Sequence, residues 1–197
     1  MHKRISLVTL ILFLIFTASS ALAEDGKSAK VAYFNYGFKE FGIFSGYHWG
    51  KLKEQGHYQV IPVMLHLGFD MRPLFKNKSN ILLEFMLEPF INTVIGPNNN
   101  AEIGNNFLFK FGFPLSERLY PYIAGGCGLI YLTLHTREQA NQFNFTDQGE
   151  VGITYFLRKN LFASIGYRYR HISNASIESP NSGINSNSVI CGVSFLY

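Results

Sequence analysis

The chain has 197 residues, a length suited to one domain, with only 15% charged residues and a formal charge of +4. Lys3 and Arg4 supply two of those charges, and no Lys/Arg cluster elsewhere is dense enough to engage nucleic acid. Phe (19) and Tyr (11) are abundant, yet beyond the first segment no apolar run is long and uniform enough for a membrane-spanning helix.

The first segment reads as a secretory signal peptide over residues 1–23. His2, Lys3 and Arg4 give a positive start, Ile5 through Phe16 an apolar core, and Ala21-Leu22-Ala23 a small-x-small cleavage site before Glu24. No Cys marks a lipoprotein junction. The apolar core is short for a helix that must cross about 30 Å of hydrocarbon, so residues 24–197 are expected to form the mature domain.

From about residue 37 the chain alternates between long segments of period two and short polar or Pro/Gly-containing breaks. Eight segments are expected as strands, at about 40–51, 58–70, 80–93, 101–113, 120–133, 143–156, 161–174 and 186–197. Turn chemistry separates them: Pro73 with Asn77–Asn80, Gly96-Pro97 with Asn98–Asn100, Pro114 to Arg118, Arg158-Lys159-Asn160, and Ser179 to Asn185. Tilted strands of roughly 12 residues suit an outer-membrane barrel. The expected fold is therefore all-β, an eight-stranded antiparallel transmembrane outer-membrane β-barrel.

Neighbouring side chains on a strand point to opposite faces. In the fourth segment Ile103, Phe107, Phe109, Phe111 and Phe113 lie opposite Glu102, Gly104, Asn106, Lys110 and Gly112. The third sets Leu83, Phe85, Leu87 and Ile91 against Glu84, Glu88 and Asn92. The sixth sets Val151, Ile153 and Tyr155 against Gln148, Glu150 and Thr154. One face suits lipid and the other a polar interior, whereas the fifth segment is apolar on both faces. A soluble sandwich also alternates, but its strands are usually near 5–6 residues. The chain also stops on Val189, Cys191, Val193, Phe195 and Tyr197, an aromatic ending that resembles the C-terminal signal of outer-membrane barrels.

Eight strands enclose an interior filled by side chains, so a transport channel is not expected. Glu84, Glu88, Glu102, Glu150, Lys110, Arg168 and Arg170 should point inward as a structural ion network. Cys127 and Cys191 fall on segments five and eight, which are not neighbours. They read as isolated thiols on the apolar surface, and they lack the spacing of a metal site. With both ends periplasmic, the breaks near 114–119 and 157–160 are short periplasmic turns. Those near 94–100, 134–142 and 175–185 are outer loops.

The seventh segment runs outward. Leu161, Ala163, Ile165, Tyr167 and Tyr169 form its lipid face, and the same register carries His171 and Ser173 to the outer rim, with Gly166, Arg168 and Arg170 in the lumen. A base and a hydroxyl two residues apart on one face can meet, as nucleophilic acyl transfer requires. Polar side chains aimed at lipid are costly, though less so near the headgroups, where they are tolerated without any catalytic role.

The run Tyr169-Arg170-His171-Ile172-Ser173-Asn174-Ala175, followed by Pro180 to Ser186, resembles the C-terminal signature of the PagL-type lipid A 3-O-deacylases, outer-membrane acyl-ester hydrolases of the acyloxyacyl hydrolase group. Phe113 to Leu119, Pro121-Tyr122, Gly125-Gly126 and Leu87-Glu88-Pro89-Phe90 are similar to the same family. The resemblance implies Ser173 as nucleophile, His171 as general base and Asn174 as part of the oxyanion hole. It implies lipid A of the outer-leaflet lipopolysaccharide as substrate and membrane partner, an aromatic, grooved wall that receives the acyl chain, and no metal or cofactor. Self-association into a homodimer is left open. One departure stands out: where the family places a Glu that orients the His, this chain has Asn185. An amide can hold an imidazole but cannot stabilise its charge as a carboxylate does. Glu178 in the intervening loop is a second candidate for that place. The competing expectation is a non-catalytic small barrel with a structural or surface-interaction role.

Overall fold

The computed structural model describes residues 37–75 and 81–197; the expected signal peptide and the turn residues Asn77–Asn80 lie outside them. Eight strands follow one another: β1 (Gly37–Leu52), β2 (Gly56–Asp70), β3 (Leu82–Gly96), β4 (Asn100–Gly112), β5 (Leu119–Leu132), β6 (Phe143–Arg158), β7 (Leu161–Ser173) and β8 (Ile184–Leu196). Every neighbouring pair is antiparallel, and β8 closes on β1, so the strands form a closed barrel in chain order. Closure removes the unpaired edges that an open sheet would present.

Several strand ends lie two or three residues from the expected boundaries, and two of these shifts alter the loops. β3 and β4 continue their pairing to Val94–Asn100, because Val94 still faces a filled interior. The break near 94–100 thereby shrinks to a three-residue turn. β8 begins at Ile184, so Asn185 lies within the strand rather than at the end of the turn.

The alternation has two distinct environments behind it. Outward positions are apolar around the barrel, with Ile43, Val63, Ile103, Phe109, Val151, Ile165 and Val193 all exposed. A continuous apolar belt of this kind is unstable in water and natural in lipid. The inward positions carry the ions. Arg168 makes a bidentate pair with Glu88, at 2.8 and 2.9 Å, and donates to Glu150 at 2.5 Å. Tyr122 donates to the other oxygen of Glu150 at 2.5 Å, and His66 lies 2.5 Å from Glu88. One layer nearer the loops, Arg170 binds Glu102 at 2.9 and 3.3 Å, and Asn92 donates to the same carboxylate. Lys110 sits 3.5 Å from Glu84 and 3.9 Å from Glu40 in the opposite direction.

Apolar layers cover these ions on both sides. Val60, Val94, Ile130, Leu132, Ile172 and Ile184 belong to a buried cluster towards the loop end. Leu82, Tyr120, Phe156 and Phe162 form another towards the chain termini. The interior is thus a packed core, as narrow barrels require. Low-dielectric surroundings make each ion pair strong and each unpaired ion costly.

Candidate active site

β7 delivers the two residues singled out by the alternation. His171 and Ser173 both point outward at its loop end, and both are partly exposed. The ladder fixes their neighbours: His171 stands opposite Asn185 on β8 and opposite Asp147 on β6, while Ser173 stands opposite Phe145. His171 Nδ1 and Asn185 Oδ1 are 2.6 Å apart. An amide oxygen has no hydrogen to give, so Nδ1 is the protonated nitrogen. The lone pair of Nε2 is then free to accept a proton.

The imidazole lies across Gly183. A Cβ built there would stand 2.4 Å from His171 Cε1 and 3.2 Å from Nε2. Gly183 also has a positive φ of 74°, which a residue with a Cβ adopts only at a cost. Ile172 pairs with Ile184, so one step further along the ladder lie Ser173 and Gly183. Among the described residues no hydrogen bond joins His171 to Ser173; the two share the outward face of β7, and the contacts that hold the ring are Asn185 and Gly183. Gly183→Ala is expected to push the ring off Asn185 and lower the turnover number by about a hundredfold, the scale of an ångström misplacement, with the barrel still folded. Steady-state kinetics beside heat-modifiable gel mobility checks it; a variant with unaltered turnover would show that the ring can yield.

Asn174 behaves differently from its neighbours. It is turned inward and buried, its backbone N–H donates to Asn181 Oδ1 at 2.9 Å, and its side-chain amide donates to the Glu178 carbonyl at 2.7 Å. It thereby holds the 174–183 loop directly after the serine. Two non-glycine residues follow in left-handed conformations, Ala175 (φ 53°) and Ser176 (φ 62°). Glu178 offers its carbonyl to Asn174 and is exposed; the residue that holds His171 is Asn185.

A second loop braces this one. Ala140 N–H donates to the Pro180 carbonyl, Ser182 N–H donates to the Glu138 carbonyl, and Gln139 forms an isolated bridge with Asn181. The same loop reaches the β1–β2 turn, where Glu138 accepts from Lys53 N–H at 2.5 Å and Arg137 pairs with Glu54. The period-two pattern carries no trace of this contact between loops, since neither loop alternates.

The outer wall beside the site is uneven. Gly125 and Gly149 face each other on β5 and β6, flanked by Phe109 on β4 and Tyr169 on β7. A Cβ at Gly149 would meet nothing within 4 Å, so a shallow furrow runs between two exposed rings. Below Asn185, Tyr167 donates to Asn187 at 2.5 Å, and the Trp49 and Tyr167 rings are 6.3 Å apart. Amphipathic rings of this kind collect where membrane meets water, at the level just below His171. Cys127 and Cys191 are unbridged thiols.

A family model described as lipid A 3-O-deacylase (PagL) matches residues 48–194. The crystal structure of the outer membrane enzyme PagL is similar at 19% identity and a TM-score of 0.60, covering 78% of this chain and 97% of that one. The crystal structure of Neisserial surface protein A is similar at 13% identity and a TM-score of 0.57, covering 81% and 97%. These two likenesses concern the fold. Among curated proteins, none matches.

Proposed function

The chain belongs to the lipid A 3-O-deacylase (PagL) family, and on that premise we propose that it cleaves the 3-O-linked acyl ester of lipid A at Ser173, on the lipid-facing outer rim of the barrel. It is an ester hydrolase of the cell outer membrane. The observation that carries the finer reading is the outward-facing His171 held at Nδ1 by Asn185, with a hydroxyl two residues along the same strand.

In this reading Ser173 Oγ attacks the ester carbonyl carbon as His171 Nε2 takes the hydroxyl proton. The tetrahedral intermediate collapses when His171 returns that proton to the departing sugar oxygen. Water, deprotonated by the same nitrogen, then releases the acyl group from Ser173 as a free fatty acid. Asn174 is turned inward and commits its side-chain amide to the Glu178 carbonyl, so we assign it the support of the loop that follows Ser173 rather than direct contact with the oxyanion. The acyl chain would lie along the Gly125–Gly149 furrow, entering sideways from the outer leaflet without crossing the barrel.

The test is direct. The chain folded in detergent micelles should release one fatty acid per lipid A that carries the 3-O-acyl group, and none from lipid A that lacks it. Release from neither substrate would sink the proposal. Asn185→Glu restores the carboxylate that the family places beside the histidine, and raises turnover by about tenfold, equal to ~1.4 kcal/mol of barrier, where no other group balances the imidazolium charge. Unchanged turnover would mean that the charge of the imidazolium is already balanced elsewhere.

A further inference from the structure

His171 has two cross-strand neighbours, and the reading above uses only the one on β8. The other is Asp147 on β6. It occupies the outward register of Phe143, Phe145, Val151 and Ile153, and its side chain is exposed. Directly opposed residues in an antiparallel pair hold their Cβ atoms about 5 Å apart, so the carboxylate and the imidazole share one patch of the outer wall. Asp147's partner on its far side is Cys127, a free cysteine. Among the described residues, no hydrogen bond or ion pair engages the Asp147 carboxylate. Asn185, by contrast, holds the ring and brings no charge.

Resting on the Ser173–His171 reading, we infer that the two duties of a single orienting acid are divided here between two strands. Asn185 fixes the ring and its tautomer from β8, and Asp147 supplies from β6 the negative charge that favours the imidazolium formed during attack. Charge acts over this distance because neighbouring strands hold the two groups well within the ~8 Å over which salt screens exposed charges. Asp147 is a positioning residue in this scheme: it touches neither the ester nor Ser173, and acts only through His171.

The assignment predicts a particular kinetic pattern. Asp147→Asn keeps the shape and removes the charge, and should lower kcat by about thirtyfold while KM stays within about twofold, since the lost interaction exists only while the imidazole is charged. Asp147→Glu should keep most of the rate. Adding Asn185→Glu to Asp147→Asn should restore kcat, because a carboxylate on β8 then does both jobs. The assays use purified chain in micelles with lipid A bearing the 3-O-acyl group, alongside the intact chain and Ser173→Ala. An intact chain that releases no fatty acid overturns the Ser173 reading and this inference with it. An active intact chain, silenced by Ser173→Ala, whose Asp147→Asn variant keeps its kcat overturns this inference alone. A loss that Asn185→Glu does not restore also counts against it, since it marks a structural role for Asp147.

Discussion

Ser173→Ala is expected to reduce fatty-acid release from lipid A by about 10³-fold or more, the usual cost of removing a nucleophile that works with a base. Ser173 faces outward at the end of β7, and no packing in the lumen depends on it. The variant should therefore fold and insert as the intact chain does. His171 stays held by Asn185, so the site keeps its shape and loses only the oxygen that the proposed mechanism uses to form the covalent bond. Rate and fold are read separately, by fatty-acid release and by heat-modifiable mobility on gels. A folded Ser173→Ala chain with full activity would move the nucleophile elsewhere.

Arg168→Met should have the largest effect on stability. Arg168 is 1% exposed and is the cation shared by Glu88 and Glu150. Methionine fills much of the space and provides no donors, so two buried carboxylates lose their shared cation at once, with His66 and Tyr122 left beside them. Breaking a buried pair from one side costs about 3–5 kcal/mol. Urea unfolding in lipid vesicles would report that loss as a lower midpoint. Replacing Glu88 and Glu150 by glutamine in the same chain should recover part of it, because the uncompensated charge is then gone. An unchanged midpoint for Arg168→Met alone would mean that water reaches this layer of the lumen.

The barrel was legible in the sequence because a strand with lipid on one side and a core on the other must alternate. Phe107, Phe109 and Phe111 set against Glu102, Asn106 and Lys110 encode both environments at once. The same parity places His171 and Ser173 on the outer wall without knowledge of any partner strand. Which residues stand beside them is a different matter. The meeting of His171 and Asn185 depends on where the β7–β8 loop ends, two residues earlier than turn chemistry suggests. The meeting of His171 and Asp147 depends on the β6–β7 register, including its irregularity at Phe156 and Arg158. An acid in line with Phe143, Phe145 and Val151 was the available signal for Asp147. The bridge between the 133–142 and 174–183 loops, and the close fit of Gly183 beneath the imidazole, arise from backbone paths that no side-chain period encodes.

The most direct measurement of the central claim is mass spectrometry of lipid A from outer membranes that carry the intact chain, its Ser173→Ala variant, or neither. The account predicts that one hydroxyacyl chain disappears only with the intact chain. Unchanged lipid A beside a folded barrel, or equal loss with the Ser173→Ala variant, would contradict it.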